Sequence, residues 1–562
     1  MTKNIQQLIS PRFLFVYTIA ALAIPNVTLC FSEQMSLAAC LAGVVLPISA
    51  YTLLMSLSAS VGKQVWRLFV LVFFAAFQMV LIYLYGSGVI AVDMFLNLVT
   101  TNPGEAMELL DNLVPAVAGV VAVYLPLLAI AAWQWARHDR ADRAFVRRAR
   151  RLSLYGCAAG LALAAACYAA YPKGGEQEGR FEYRAEDSMY PVNVFYNLGL
   201  AVHESWLSAH YQERVAAFRW DARPTHPGDS AEVYILVIGE TARSRDFQLY
   251  GYSRPTNPEL SRETGLTVFT GVRSQSNTTH KSVPMLLTAA TAEDHDRLYR
   301  EKGIIAAFRE AGFYTMFFSN QQRNHSYIDF LGEEAHRHTF IRDNAGGSDP
   351  AAAASDEQLL PYVRRALAER HRKLLVVLHT YGSHFNYRDR YPQRLARFMP
   401  DTPTEAKAEN RPQLLNAYDN TILQTDHILA SLIAMLRSQR CAAAMLYTSD
   451  HGENIFDDSR RLFLHASPRP SAYDTDVPLI VWTSEQYRRQ YAPTVAAMDA
   501  NRSKGVQSNA SVFPTMLSIA GIRTKARQDS LSLANPAYRL GTRHYLNDHN
   551  RAVPLAMYGI GE

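Results

Sequence analysis

Glu240, His379, His384, Asp450 and His451 are the residues whose types and placing point most directly to chemistry in this chain. Each stands at or just beyond the end of an apolar run. VYILVIGE (233–240) closes on Gly239 and Glu240, LLVVLHTYGSH (374–384) on His379 and His384, and AAAMLYTSDHGE (442–453) on Asp450 and His451. In an open parallel α/β sheet, ligands bind where the carboxyl ends of strands meet. Carboxylates and imidazoles gathered at such ends are the donor set of a zinc site. Between the first of these runs and the next helix lies SQSNTTHKSVPMLLT (274–288), dense in hydroxyls. A helix is predicted to start there near Ser282 or Pro284. A threonine just before a helix N-terminus sits among free amide donors, which favour a bound phosphate. Its hydroxyl is a poor nucleophile until a metal lowers its pKa. Standing alone, the segment is better read as a Ser/Thr-rich helix cap.

The elements that must position these groups follow from the patterning after residue 231. Apolar runs alternate with helix-like segments at 305–311, 356–370 and 412–438. The last carries a stripe of Leu414, Tyr418, Ile422, Thr425, Ile428, Leu429 and Leu432. That alternation predicts an α/β domain over 231–562 with a mostly parallel central sheet. Residues 172–230 read as a connector, partly amphipathic, with YPVNVFYNLGLAVHESWLSAHY suited equally to a membrane surface and to core packing. DARPTHPGDS (221–230) is a turn-rich linker.

The first 171 residues are different. Five apolar spans, about 13–31, 35–58, 66–86, 113–135 and 152–171, each approach the roughly 20 residues needed to cross a bilayer. Lys3, Arg12, Lys63 and Arg67 lie on one side, together with seven arginines between Arg137 and Arg151. The stretch 87–112 has no Lys or Arg and holds Asp93, Glu105, Glu108 and Asp111. The charge bias places the N-terminus and the Arg-rich loop in the cytoplasm and everything after span five outside. An uncleaved first span fits better than a signal peptide. Part of the net charge of +5 comes from those loops, so it does not indicate nucleic-acid binding. Cys30, Cys40, Cys157 and Cys167 lie in or beside the spans, and Cys441 is alone in the exported part, which therefore closes no internal disulfide.

Several segments taken together resemble the phosphoethanolamine transferases of Gram-negative envelopes. These include lipid A transferases and mobile colistin-resistance enzymes, within the alkaline phosphatase/sulfatase superfamily. The matching stretches are IGETARSRDFQLYGYSRPTNPEL (238–260), TTHKSVP (278–284), HTYGSH (379–384), AYDNTILQTD (417–426) and TSDHGE (448–453). The resemblance implies five N-terminal transmembrane helices and a periplasmic, sulfatase-like catalytic domain in the bacterial inner membrane.

It also implies roles. Glu240, Thr279, Asp450 and His451 would hold one zinc, with a second expected at most during turnover, and Thr279 would be the nucleophile. His384 and His465 would bind substrate or move protons, while His379 reads as a structural strand-end residue. Asn97, Thr101 and Glu105, at four-residue spacing, would share a helical face near the donor head group. The implied donor is phosphatidylethanolamine and the implied acceptor lipid A or the lipopolysaccharide core, with a monomer expected. A phosphoglycerol or other head-group transferase acting on another acceptor is the alternative. A sulfatase is disfavoured, because no C/S-x-P-x-R motif occurs at 274–288. Two departures from the lipid A enzymes stand out: the missing catalytic-domain disulfides, and His280 and Lys281 directly after Thr279, where those enzymes carry small or apolar residues. Both bear on the acceptor rather than on the chemistry.

Overall fold

The computed structural model describes residues 10–32, 35–85, 90–100, 103–170, 184–228, 230–344 and 355–561. The chain divides into two compact units, one drawn mainly from residues up to Val202 and the other from His203 onward.

Up to residue 209 the main helices are α1 (Pro11–Ser32), α2 (Leu37–Met55), α3 (Val61–Arg67), α4 (Phe69–Tyr85), α5 (Val92–Thr100), α6 (Pro103–Ala136), α7 (Arg143–Ala169) and α8 (Val192–Ala209). Helices α1, α2, α7 and the Val114–Ala136 part of α6 are long and apolar enough to cross a membrane. This is a multi-pass membrane protein, with four such helices among the described residues and up to five if the bent pair is one span. The expected straight third span is that pair. Helices α3 and α4 meet at 65°, because Leu68 leaves helical geometry. No Gly or Pro marks this break. The stretch 87–112 contains α5 and the start of α6.

Small residues bring α2 and α7 together. A Cβ added at Gly160 would lie 2.7 Å from the Leu46 Cα, and one at Gly156 2.2 Å from Ser49 Oγ. Such glycines four apart allow close backbone approach, the main source of helix cohesion in lipid. Part of the α8 region joins this unit's core through Tyr190, Val194 and Ala201. Phe195, Tyr196, Val202 and Trp206 stay exposed.

The second unit is built on a seven-stranded sheet. Its strands are β1 (Glu232–Gly239), β2 (Leu266–Phe269), β3 (Tyr314–Ser319), β4 (Arg337–Phe340), β5 (Lys373–His379), β6 (Ala442–Ser449) and β7 (Leu479–Thr483). They lie in the order β2-β7-β6-β1-β5-β3-β4. The sheet is mixed, with most of its pairings parallel. The pairings of β1 with β5 and β6, and of β3 with β4 and β5, are parallel, while β7 runs antiparallel to both β6 and β2. All eight residues of β1 and of β6 are buried, which is why both read as unbroken apolar runs. Tyr234, Leu236 and Ile238 of β1 share a core with Val283, Leu286, Phe513 and Leu517. Each such side chain contributes about 1.5–3 kcal/mol.

Register places the strand ends together. Ile238 lies opposite His379 and Thr448, and Gly239 opposite Ser449. At the other end of β1, buried Glu232 is held by His226 at 3.0 Å, Ser230 at 3.0 Å and the Tyr491 hydroxyl at 2.7 Å.

Candidate metal centre and nucleophile

Glu240 and Asp450 each follow directly on a central strand, so the register of β1 and β6 sets them side by side. Asp450 N–H donates to the Gly239 carbonyl at 3.1 Å, and Ser383 N–H to the Glu240 carbonyl at 2.9 Å. The approach is close enough that Gly382 is required. Its φ is +55°, and a Cβ there would lie 2.5 Å from the Glu240 carbonyl oxygen. Thr241 also has positive φ, at 62°, an unusual state for a β-branched residue and of a kind that clusters at functional sites.

Thr279 is the first residue of a nine-residue helix, α9 (Thr279–Leu287), with Thr278 in extended conformation just before it. The helix therefore begins three residues before Ser282. Pro284 is its sixth residue rather than its first, so it sits inside the helix and not at the position proline usually takes. This start puts the Thr279 hydroxyl at the helix's positive end.

Four groups converge. Thr279 Oγ1 donates to Glu240 Oε1 at 3.0 Å and lies 3.1 Å from His451 Nε2. His451 Nε2 is 3.3 Å from Glu240 Oε1 and 3.2 Å from Asp450 Oδ2. Glu240, Asp450 and His451 are wholly buried, and one ligand atom from each lies within 4.8 Å of the others. His451 Nδ1 faces the Gly452 carbonyl at 2.9 Å. As donor there, it leaves the Nε2 lone pair directed at the cluster. Asp450 Oδ1 accepts from the Thr241 and His451 amides at 3.1 and 2.7 Å. Its Oδ2 is buried with no hydrogen-bond partner.

The electrostatics are those of a site short of positive charge. Burial and the Glu240 charge push Asp450 up to about 7. Burial opposes ionisation of Glu240, but the His451 hydrogen bond and charge hold it well below the usual carboxylate range. Burial opposes protonation of His451, yet Asp450 and Glu240 push it up to about 10. Two buried acids and an imidazole with a buried, unbonded carboxylate oxygen suit a divalent cation, and with Thr279 they make a four-donor set.

His465 and His384 stand beside the cluster. The His465 ring is 4.2 Å from that of His451 and 6.0 Å from that of His384. His465 Nδ1 lies 3.3 Å from Glu453 Oε1, and His384 Nδ1 2.7 Å from the Phe385 carbonyl. Asn97, Thr101 and Glu105 lie outside the residues whose side chains are described.

Several residues around the centre were not candidates from sequence. Gln321 contacts Glu240 Oε2 at 3.2 Å, but it lies in a loop without periodicity or motif. Buried Arg243 pairs with Asp246 and, at 2.8 Å, with Asp457, and donates to the Glu453 carbonyl at 3.1 Å. The Arg-Asp spacing within GETARSRD was the available signal.

The sequence model of the sulfatase family matches residues 232–522. That of the family described as phosphoethanolamine transferase EptA/EptB matches residues 47–205. Among curated proteins, the chain is 29% identical over 321 residues to phosphoethanolamine transferase EptA of Salmonella typhimurium, covering 56% of this chain and 57% of that one. It is 30% identical over 269 residues to a Kdo(2)-lipid A phosphoethanolamine 7''-transferase of the same organism, covering 46% of each. The chain thus spans about half the length of these curated relatives. Two solved structures share the fold. The membrane protein EptA of Neisseria meningitidis has a TM-score of 0.72 at 19% identity, covering 95% of this chain and 99% of that one. The C-terminal periplasmic domain of EptC from Escherichia coli, in complex with zinc, has a TM-score of 0.53 at 24% identity, covering 60% and 95%.

Proposed function

The chain belongs to the phosphoethanolamine transferases of the alkaline phosphatase/sulfatase superfamily, and from that premise we propose that it moves phosphoethanolamine from phosphatidylethanolamine to lipid A or the lipopolysaccharide core through a phosphothreonine at Thr279. The observation that carries this reading is the convergence of Glu240, His451 and Thr279 on one another, with the Thr279 hydroxyl 3.0 and 3.1 Å from its two neighbours.

A zinc ion held by Glu240, Thr279, Asp450 and His451, with a second at most during turnover, would lower the hydroxyl's pKa and stabilise charge on the transferring group. Thr279 Oγ forms a bond to phosphorus as the bond to the diacylglycerol oxygen breaks. The hydroxyl's hydrogen bond to Glu240 Oε1 gives its proton a first acceptor. The departing glycerol oxygen takes a proton from His384 or His465. An acceptor oxygen then attacks the same phosphorus, a hydroxyl acceptor returning its proton to the histidine that protonated the glycerol oxygen, and the Oγ–P bond breaks as Oγ recovers its proton from Glu240.

In this reading Asn97, Thr101 and Glu105 meet the donor head group, with Glu105 opposite the ethanolamine ammonium. The enzyme sits in the bacterial inner membrane as a monomer with residues 231–562 in the periplasm, the 172–230 connector leading from the spans. The relatives' names favour lipid A, while the lack of catalytic-domain cysteine pairs and the His280-Lys281 step favour core or another acceptor.

Mass spectrometry of lipid A and core oligosaccharide, from cells expressing the wild type and Thr279→Ala, tests the proposal. A phosphoethanolamine gain that disappears in the variant is expected, and full transfer by Thr279→Ala would refute the nucleophile. Labelled phosphatidylglycerol set against labelled phosphatidylethanolamine separates out the phosphoglycerol alternative.

A further inference from the structure

The two oxygens of Glu240 face different groups. Oε1 meets Thr279 Oγ1 at 3.0 Å, His451 Nε2 at 3.3 Å and Thr241 Oγ1 at 2.8 Å. Oε2 accepts from Gln321 Nε2 at 3.2 Å. That amide nitrogen also lies 3.1 Å from the Thr380 carbonyl and 3.4 Å from His379 Nε2. The carbonyl accepts only, and so does an ionised carboxylate. The carboxamide therefore presents its NH2 here and not its oxygen. An amide oxygen in this corner would face two acceptors with nothing to share.

The arrangement continues away from Glu240. His379 Nδ1 lies 3.3 Å from Ser319 Oγ, and the Gln321 backbone N–H donates to the same Oγ at 3.1 Å. Ser319 ends β3 and His379 ends β5, and the two are paired in the sheet. The Gln321 side chain is thus fastened to two adjacent strand ends. This also gives buried His379 a use, as an anchor rather than a ligand.

The geometry points to Gln321 as a positioning residue that occupies Glu240 Oε2 and so presents Oε1 alone to the metal centre. A four-donor site takes one atom from each ligand, and hydrogen bonds to the other end of a ligating carboxylate fix its orientation. Without the carboxamide, Glu240 is free to rotate or to offer both oxygens. This inference rests on the metal reading above and names the group that shapes it.

The test is zinc affinity of the detergent-solubilised full-length chain, by competition with a chromophoric chelator. Gln321→Met keeps the side chain's length and removes both N–H donors. It is expected to weaken zinc binding about 10–100-fold at an unchanged melting temperature of the metal-free protein. Ser319→Ala leaves Gln321 and every candidate ligand in place and is expected to give a smaller loss in the same direction. Wild-type affinity in both variants overturns the positioning role, since a merely packing role predicts that result. If Gln321→Met does not fold, Ser319→Ala decides alone: weakened binding supports the role and unchanged binding overturns it. A wild-type chain that binds no zinc fails earlier, at the metal reading itself, and takes this inference with it.

Discussion

Thr279 Oγ1 has two contacts of different kinds, the Glu240 carboxylate that accepts its hydrogen bond and His451 Nε2, and in the proposed reaction these ready it for attack. His384 and His465 are placed for something else. His465 stands next to His451 and His384 next to His465, yet the tight cluster is made by Glu240, Asp450 and His451. The two roles are separable by substitution. His384→Gln and His465→Gln are each expected to slow transfer by about 10²–10⁴-fold, the range of a lost proton-transfer group, with zinc content retained. Asp450→Asn is expected to lose both. Turnover of a fluorescent phosphatidylethanolamine, measured beside metal content, distinguishes the two classes.

At the scale of elements, the site depends on how closely the β5 exit loop approaches the end of β1. Gly382→Ala puts a Cβ against the Glu240 backbone at a φ that disfavours side chains. A destabilisation of at least about 1–2 kcal/mol is expected from the left-handed conformation alone, together with reduced zinc content, both read from chelator-controlled thermal melts. The other end of β1 carries a pH dependence. Burial pushes Glu232 up, but hydrogen bonds from His226 and Tyr491 and the charge of Lys373 bring it net below its ordinary value of 4.5. Its contribution is therefore complete above pH 4.5 and lost as pH falls through the lower folded-state value. Glu232→Gln is expected to cost about 1–3 kcal/mol at neutral pH and to flatten the acid limb of a stability-against-pH curve.

These same elements show what sequence carries. Central parallel strands are buried on both faces, so β1, β5 and β6 stand out as apolar runs, and acids or histidines at their ends are conspicuous. Strand direction is not written into a buried pentapeptide such as LIVWT, which is why antiparallel β7 was not foreseen. Gln321 is a loop carboxamide whose value lies only in where it points. The start of α9 was misplaced because Pro284 was taken as a first-turn residue, and the kink at Leu68 carries no breaker at all.

Over the whole molecule, two tests bear on how the unit from His203 onward holds together. Removing zinc with a chelator is expected to lower stability by about 2–4 kcal/mol and to be reversed by added zinc, as binding linkage requires. Reductant is expected to leave the melting temperature unchanged, because Cys441 is the sole cysteine after residue 202. That single thiol has a consequence for the cell that makes the protein. A host cell stripped of its thiol-oxidising enzymes is expected to bring the unit from His203 onward to its native state at the usual yield, because that unit has no cysteine pair to close.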